Sequence, residues 1–187
     1  MAPLSYDSMR NLILDNISLL ADVAVFTPEL LTAIFWEETN FQNIRQMGGG
    51  PAVGFGQVER DTIRMVNNAF NTNFTPDGIL ADDNLSVQIA SYTLSLLLRN
   101  TRSKRGALNG YAGANANPAN AAIPGHWLRC ESLLLAVHAS DHIPDSSAVF
   151  ERLTYVTSAI AIKAALKVAK PDSNPDLAFP SGRAIAI

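Results

Sequence analysis

The sequence predicts a mainly α-helical protein, in one domain over residues 1–187, and three observations carry that expectation. Apolar residues recur at helical spacing through most of the chain. Strand-like alternation is absent outside one glycine-rich stretch. Helix-start signals, an oxygen-bearing capping residue followed by proline or acid, separate the apolar runs. At 187 residues and 48% hydrophobic, the chain has enough apolar material for a single core.

Leu12, Ile13, Leu14, Ile17, Leu19 and Leu20 predict a first helix from about Ser5 to Val25, with an apolar surface too broad for an isolated helix. Thr27, Pro28 and Glu29 read as N-cap, first-turn proline and first-turn acid of a second helix running to about Asn40. The following stretch QNIRQMGGGPAVGFG holds five glycines and a proline and is expected to be an irregular loop or a small β element. A short helix from Val58 to Phe70 comes next. Thr75, Pro76, Asp77 and Gly78 form a predicted turn, and Asp82, Asp83 and Asn84 open the strongly apolar LSVQIASYTLSLLLRN, the expected central helix. A small-residue region, 106–125, follows. Two further helices, about 126–140 and 146–170, and a loose tail over 171–187 complete the chain.

Several function classes are disfavoured by composition. The formal charge is −3, and the short basic cluster Arg99, Arg102, Lys104 and Arg105 lies where cations compensate a helix C-terminus, so no nucleic-acid partner is expected. Cys130 is the only cysteine, which rules out an intramolecular disulfide, and its apolar setting reads as a small buried hydrophobe. His138 and His142 are four apart, but HASDH lacks the glutamate of a zincin motif, so a solvated helix end is expected and no metal site. The run LTYVTSAIAIKAALKVA is interrupted by Lys163, so no integral membrane segment is expected, and MAPLSYDSMR has none of the features of a Sec leader.

The chemistry-bearing residue is Glu38. Leu30, Ile34 and Glu38 share one helical stripe, whereas Glu37 shares its face with Ala33, about a hundred degrees away. A carboxyl against hydrocarbon is costly when ionised, so it keeps its proton near neutral pH, as a general acid for glycoside cleavage must. An acid ending an apolar face is more often a boundary residue. Here it stands before a glycine-rich loop in which backbone amides and Gln57 can approach a sugar.

The stretches WEETNF and GFGQVE resemble motifs of the lysozyme-like superfamily, especially the soluble lytic transglycosylases and goose-type lysozymes. Those families carry a Glu-Ser pair, an aromatic two residues on, and a Gly-Leu-Met-Gln segment. Glu38, Thr39 and Phe41 match the first part, and Gly54, Phe55, Gly56 and Gln57 the second. ALNGYAG, residues 107–113, is similar to the families' Ala-Tyr-Asn-Ala-Gly segment, with Tyr111 at the tyrosine position and the following asparagine missing. The resemblance covers residues 27 to 115. Thr39 for Ser, Gly56 for Met and the lost asparagine are its departures.

This resemblance implies a lysozyme-like helical fold that cleaves the β-1,4 bond between N-acetylmuramic acid and N-acetylglucosamine in peptidoglycan, with Glu38 as the catalytic acid. Thr39, Gly54, Gln57 and Tyr111 are the implied substrate-site residues, and no cofactor is implied. Between Thr39 and Val58 there is no Asp or Glu. That absence favours a lytic transglycosylase, in which one glutamate serves as acid and then base. Glu59, matching an aspartate that follows the Gly-Leu-Met-Gln segment in goose-type enzymes, is the candidate second carboxylate of a hydrolysing alternative, an endolysin. A lysozyme-like scaffold that binds glycan without cutting it is the third reading, and a chitinase or chitosanase the fourth. The implied place of action is the bacterial cell wall, reached by phage lysis, by injection or after removal of a leader, with the protein as a monomer.

Overall fold

Ser5 accepts the Ser8 amide and starts α1, Tyr6–Asp15. In the computed structural model, residues 2–139 are described; the expected helix over 146–170, the tail over 171–187 and His142 lie outside them. α1 ends ten residues earlier than its apolar pattern predicts, and Asn16 is the reason. This buried side chain donates to Leu12 O at 2.9 Å and to Asn84 Oδ1 at 2.7 Å, and accepts from Gln88 Nε2 at 2.9 Å. The apolar residues beyond it form a short 3-10 turn, Ile17–Leu19, rather than more helix. Asp22, in the left-handed region at φ 51°, then takes the Ser95 hydroxyl, while Ser91 donates to Ala21 O at 3.0 Å.

α2, Pro28–Thr39, starts as predicted, with the Thr27 hydroxyl accepting the Leu30 amide. It ends at Asn40, which adopts a left-handed conformation (φ 51°) that asparagine tolerates. The glycine-rich stretch folds as a small antiparallel element. β1, Ala52–Val53, pairs with β2, Val58–Glu59, while Arg45 bridges to Val53 on the other side. Because Val58 and Glu59 are taken into β2, the next helix α3, Arg60–Phe70, starts two residues later than expected.

Two segments that carry no helical periodicity in the sequence are helical. Thr75 caps a short α4, Pro76–Ala81, where a simple turn was predicted. The small-residue region contains α6, Lys104–Tyr111, capped by Ser103, and a 3-10 turn at Pro118–Ala122. Glycine and alanine there leave no periodicity to read, and a capped two-turn helix needs little when its neighbours cover it. The central helix, α5, Asp83–Thr101, is capped by Asp82 as expected. α7, Ile123–Ala139, includes the predicted helix at 126 and begins three residues earlier.

Among the described residues the molecule is thus mainly helical, with one two-stranded sheet. α5 is the hub, packed by α1, α3, α4 and α6, while α2 lies between α1 and α7. A single cluster of buried side chains joins them, from Met9 and Ile13 through Ile34, Phe35, Ile89 and Leu94 to Trp127 and Leu134. Burying each such side chain contributes roughly 1.5–3 kcal/mol. No helix among the described residues is long and apolar enough to cross a membrane.

Several polar groups between helices are paired. Glu131, 5% exposed, takes Lys104 Nζ at 2.8 and 2.9 Å and the Thr27 hydroxyl at 2.6 Å, so Lys104 is committed to an internal pair rather than to a helix C-terminus. Arg99 lies over the Phe70 ring at 4.1 Å. His138 is not solvated: it joins Tyr6 Oη at 2.7 Å and Glu29 Oε1 at 2.8 Å, linking α7 to α1 and α2.

Candidate active site

The last turn of α2 emerges from the core into an open cleft of about 630 Å³, lined by residues 36–40, Gln42, Ile44, Gln46, Met47 and Gln57. Upstream, Leu30, Leu31, Ile34 and Phe35 are fully buried, so this end of the helix is anchored in hydrocarbon. Glu38 sits at the boundary. Burial pushes its carboxyl up to about 7, and the neighbouring Glu37 charge adds to the lift. A group titrating there is half protonated at neutral pH and can both give and take a proton.

Glu37 points elsewhere, as its position on the helix requires. Its Oε2 lies 2.9 Å from Nε2 of His126, a buried imidazole at the start of α7. Beneath that imidazole is Cys130, with Sγ 3.6 Å from Nε2. Burial, with Glu37 second, pushes the thiol up to about 12, which keeps it protonated and makes it a poor nucleophile. The expected reading of Cys130 as a small core residue agrees with its 1% exposure.

The glycine-rich loop is fastened to α2 and α5 by hydrogen bonds that account for three of the sequence-predicted residues. Thr39 is buried, and its hydroxyl reaches Phe35 O at 3.1 Å and Phe55 O at 3.0 Å. It therefore ties the helix end to the loop at the wall of the cleft. Gly54, at φ +86°, lines neither lobe of the cleft; a β-carbon there would stand 2.7 Å from Ser86 Oγ. That hydroxyl accepts the Phe55 amide at 2.8 Å. Gln57, also in the left-handed region at φ 49°, donates from Nε2 to Gly54 O at 2.9 Å and Ile44 O at 3.2 Å. Its amide nitrogen organises the loop, and the residue lines the cleft.

Tyr111 closes the arrangement from α6. Its hydroxyl donates to Gly56 O at 2.8 Å, and its ring meets Trp127 edge-on at 5.9 Å. Burial, followed by the charge of Glu38, holds its hydroxyl well above the usual tyrosine range, so it stays a donor. The same contact explains Gly56. A β-carbon at that position would lie 2.3 Å from Tyr111 Oη, 3.0 Å from Ala90 Cβ and 3.3 Å from Phe35 Cε1. No larger side chain fits where this tyrosine comes in.

Three stretches far apart in sequence are thereby brought together: Thr39 joins the first to the second through Phe55 O, and Tyr111 joins the third to the second through Gly56 O. Gln57 also borders a second lobe of about 330 Å³, where Glu59, Thr62, Thr93, Leu97 and Tyr111 are found. Glu59 is exposed at the start of α3 and does not line the Glu38 lobe. Trp36, Ile44 and Met47 on the main lobe, and His126 behind it, were not singled out by the sequence. The cleft walls carry no periodic signal, and His126 acts across 89 residues.

Comparison of the chain with family models, with curated proteins and with solved structures finds no match in any of the three.

Proposed function

We propose that the protein is a peptidoglycan-cleaving glycosidase of lysozyme-like fold, working as a lytic transglycosylase with Glu38 as acid and then base. The observation that carries the reading is a carboxyl that burial pushes up to about 7 at the edge of an open cleft, on the apolar stripe of a helix whose end Thr39 ties to the loop. The meeting of the three motif-bearing stretches, through Thr39 and Phe55 and through Tyr111 and Gly56, supports it further.

In this reading Glu38 gives its proton to the oxygen between N-acetylmuramic acid and N-acetylglucosamine as the C1–O bond breaks. The muramic C6 hydroxyl then bonds to C1, and its proton returns to Glu38, leaving a 1,6-anhydro end and a restored acid. One titrating carboxyl suffices. Gln57 Oε1 presents an acceptor to a sugar hydroxyl or N-acetyl N–H, Tyr111 fixes the loop through Gly56, and Met47 on the rim offers an apolar surface to a sugar ring. No metal or organic cofactor enters these steps, so a chelator is expected to leave turnover unchanged.

Hydrolysis with Glu59 as base is the second reading, favoured by its place in the lobe that shares Gln57 with the main cleft. Mass spectrometry of fragments released from purified peptidoglycan separates the two. Anhydro-muropeptides, lighter than reducing-end fragments by one water, that vanish in Glu38→Gln and persist in Glu59→Gln establish the transglycosylase. Reducing-end products lost in Glu59→Gln establish the hydrolase. No release by the intact protein sinks both in favour of a scaffold that binds glycan, and cleavage of chitin oligomers instead would identify a different glycan.

A further inference from the structure

α2 and α7 run in opposite senses, and three polar links cross between them. Two tie the start of α2, Thr27 to Glu131 and Glu29 to His138. The third, Glu37 to His126, stands at the other end, where the helix opens into the cleft. A pin for the helix pair is already supplied by the first two, together with the apolar contacts of Trp127, Leu134 and Val137. The third instead fixes the direction of a carboxylate one residue from the proposed acid.

We propose that His126 is a positioning residue for Glu38: its ring N–H grips the Glu37 carboxylate, holding a fixed negative charge beside Glu38 so that Glu38 alone exchanges protons with the glycan. Glu37 lies on the cleft wall, and without its partner the side chain would swing into the open lobe, where water would screen it. Gripped, its Oε2 stays 2.9 Å from His126 Nε2, itself 3.6 Å from Cys130 Sγ, and its charge raises both that thiol and the adjacent Glu38 carboxyl.

The charged and titratable surroundings of the link are few. α2 contributes Glu37 and Glu38; α7 itself contributes Cys130, Arg129 and the internally paired Glu131. α6 contributes Tyr111 and Arg105. The guanidiniums of Arg105 and Arg129 both reach within 3.6 Å of where a β-carbon on Gly125 would stand. The 3-10 turn Pro118–Ala122, which also packs on α7, carries no charge.

The inference rests on the glycosidase reading, so its test is read first without substrate. The titration midpoint of the Glu38 carboxyl is followed by carbon-13 NMR in the full chain, with Glu38→Gln assigning the signal. Glu37→Gln removes the charge, and His126→Ala releases it; each is expected to lower the midpoint by about half a pH unit or more. His126→Gln keeps a side-chain N–H for Glu37 and is expected to preserve it. On peptidoglycan, the alkaline limb of kcat/KM moves to lower pH in the first two variants, with KM unchanged, and stays in place in the third. An unmoved midpoint in Glu37→Gln overturns the inference even where His126→Ala fails to fold. Muropeptide release with an unmoved midpoint overturns the coupling alone, and a lowered midpoint without release overturns the glycosidase reading alone.

Discussion

Glu38 is the residue at which the proposed chemistry and stability pull in opposite directions. Its carboxyl titrates at about 7 in the fold against 4.5 when exposed. Below pH 4.5 both folded and unfolded chains carry the proton and no cost arises. As the pH climbs from 4.5 to about 7, the unfolded chain ionises first and stability is lost; above 7 the loss is constant. Glu38→Gln is therefore expected to abolish turnover while raising stability at pH 8 by on the order of 1–3 kcal/mol, with no gain at pH 4. Thermal unfolding at the two pH values checks this, and equal stability of the two proteins at pH 8 would mean a solvated carboxyl. Gly56 supplies a second case. The methyl of Gly56→Ala would meet the Tyr111 hydroxyl at 2.3 Å, so the loop or the tyrosine must shift. A cost of about 1–3 kcal/mol and a drop in activity are expected, measured by urea denaturation and muropeptide release. Tyr111→Phe combined with Gly56→Ala should recover part of the stability.

The junction between α2 and the glycine-rich loop shows how an element places a side chain. Thr27 and Pro28 start the helix, and the stripe Leu30–Ile34–Glu38 orients it, all through interactions within a few residues of one another. Its end is different. Asn40 and Phe41 both adopt left-handed backbone, at φ 51° and 58°, and Phe41 is held there by burial at 1% exposure. Thr39 then stitches the helix to Phe55 O. Thr39→Val keeps the shape and removes that donor, leaving a buried carbonyl with one partner fewer. A loss of about 1–2 kcal/mol is expected, with a larger proportional loss in kcat than in KM if the loop carries the cleft geometry. Calorimetry with steady-state kinetics separates the two effects. The same logic explains α1, where local apolar spacing predicted helix to Val25 and a tertiary contact, Asn16 to α5, stopped it at Asp15.

Across the whole molecule, the internal pair of Lys104 and Glu131 joins α6, α7 and the cap of α2. Lys104→Met would leave Glu131 as an unpaired carboxylate at 7% side-chain exposure. The expected loss is about 3–5 kcal/mol. Lys104→Met with Glu131→Leu should recover most of it, because the cost lies in the uncompensated charge rather than in the missing attraction. Denaturant midpoints of the single and double variants decide this; equal losses in both would assign the cost to packing.

Helix type, caps, the glycine-rich break and the angular separation of Glu38 from Glu37 on α2 were readable from residue order, because each depends on neighbours within one or two turns. Periodicity and capping act at that range. Tertiary structure decided the rest. It folded residues 104–111 as α6, so that Tyr111 reaches Gly56; it tied Thr39 to Phe55 O and set Gly54 against Ser86; and it set His126 against Glu37. Those outcomes depend on which surfaces meet across tens of residues. No local energy term encodes such a meeting, since a buried imidazole and a solvated one carry the same sequence until the helices around them pack.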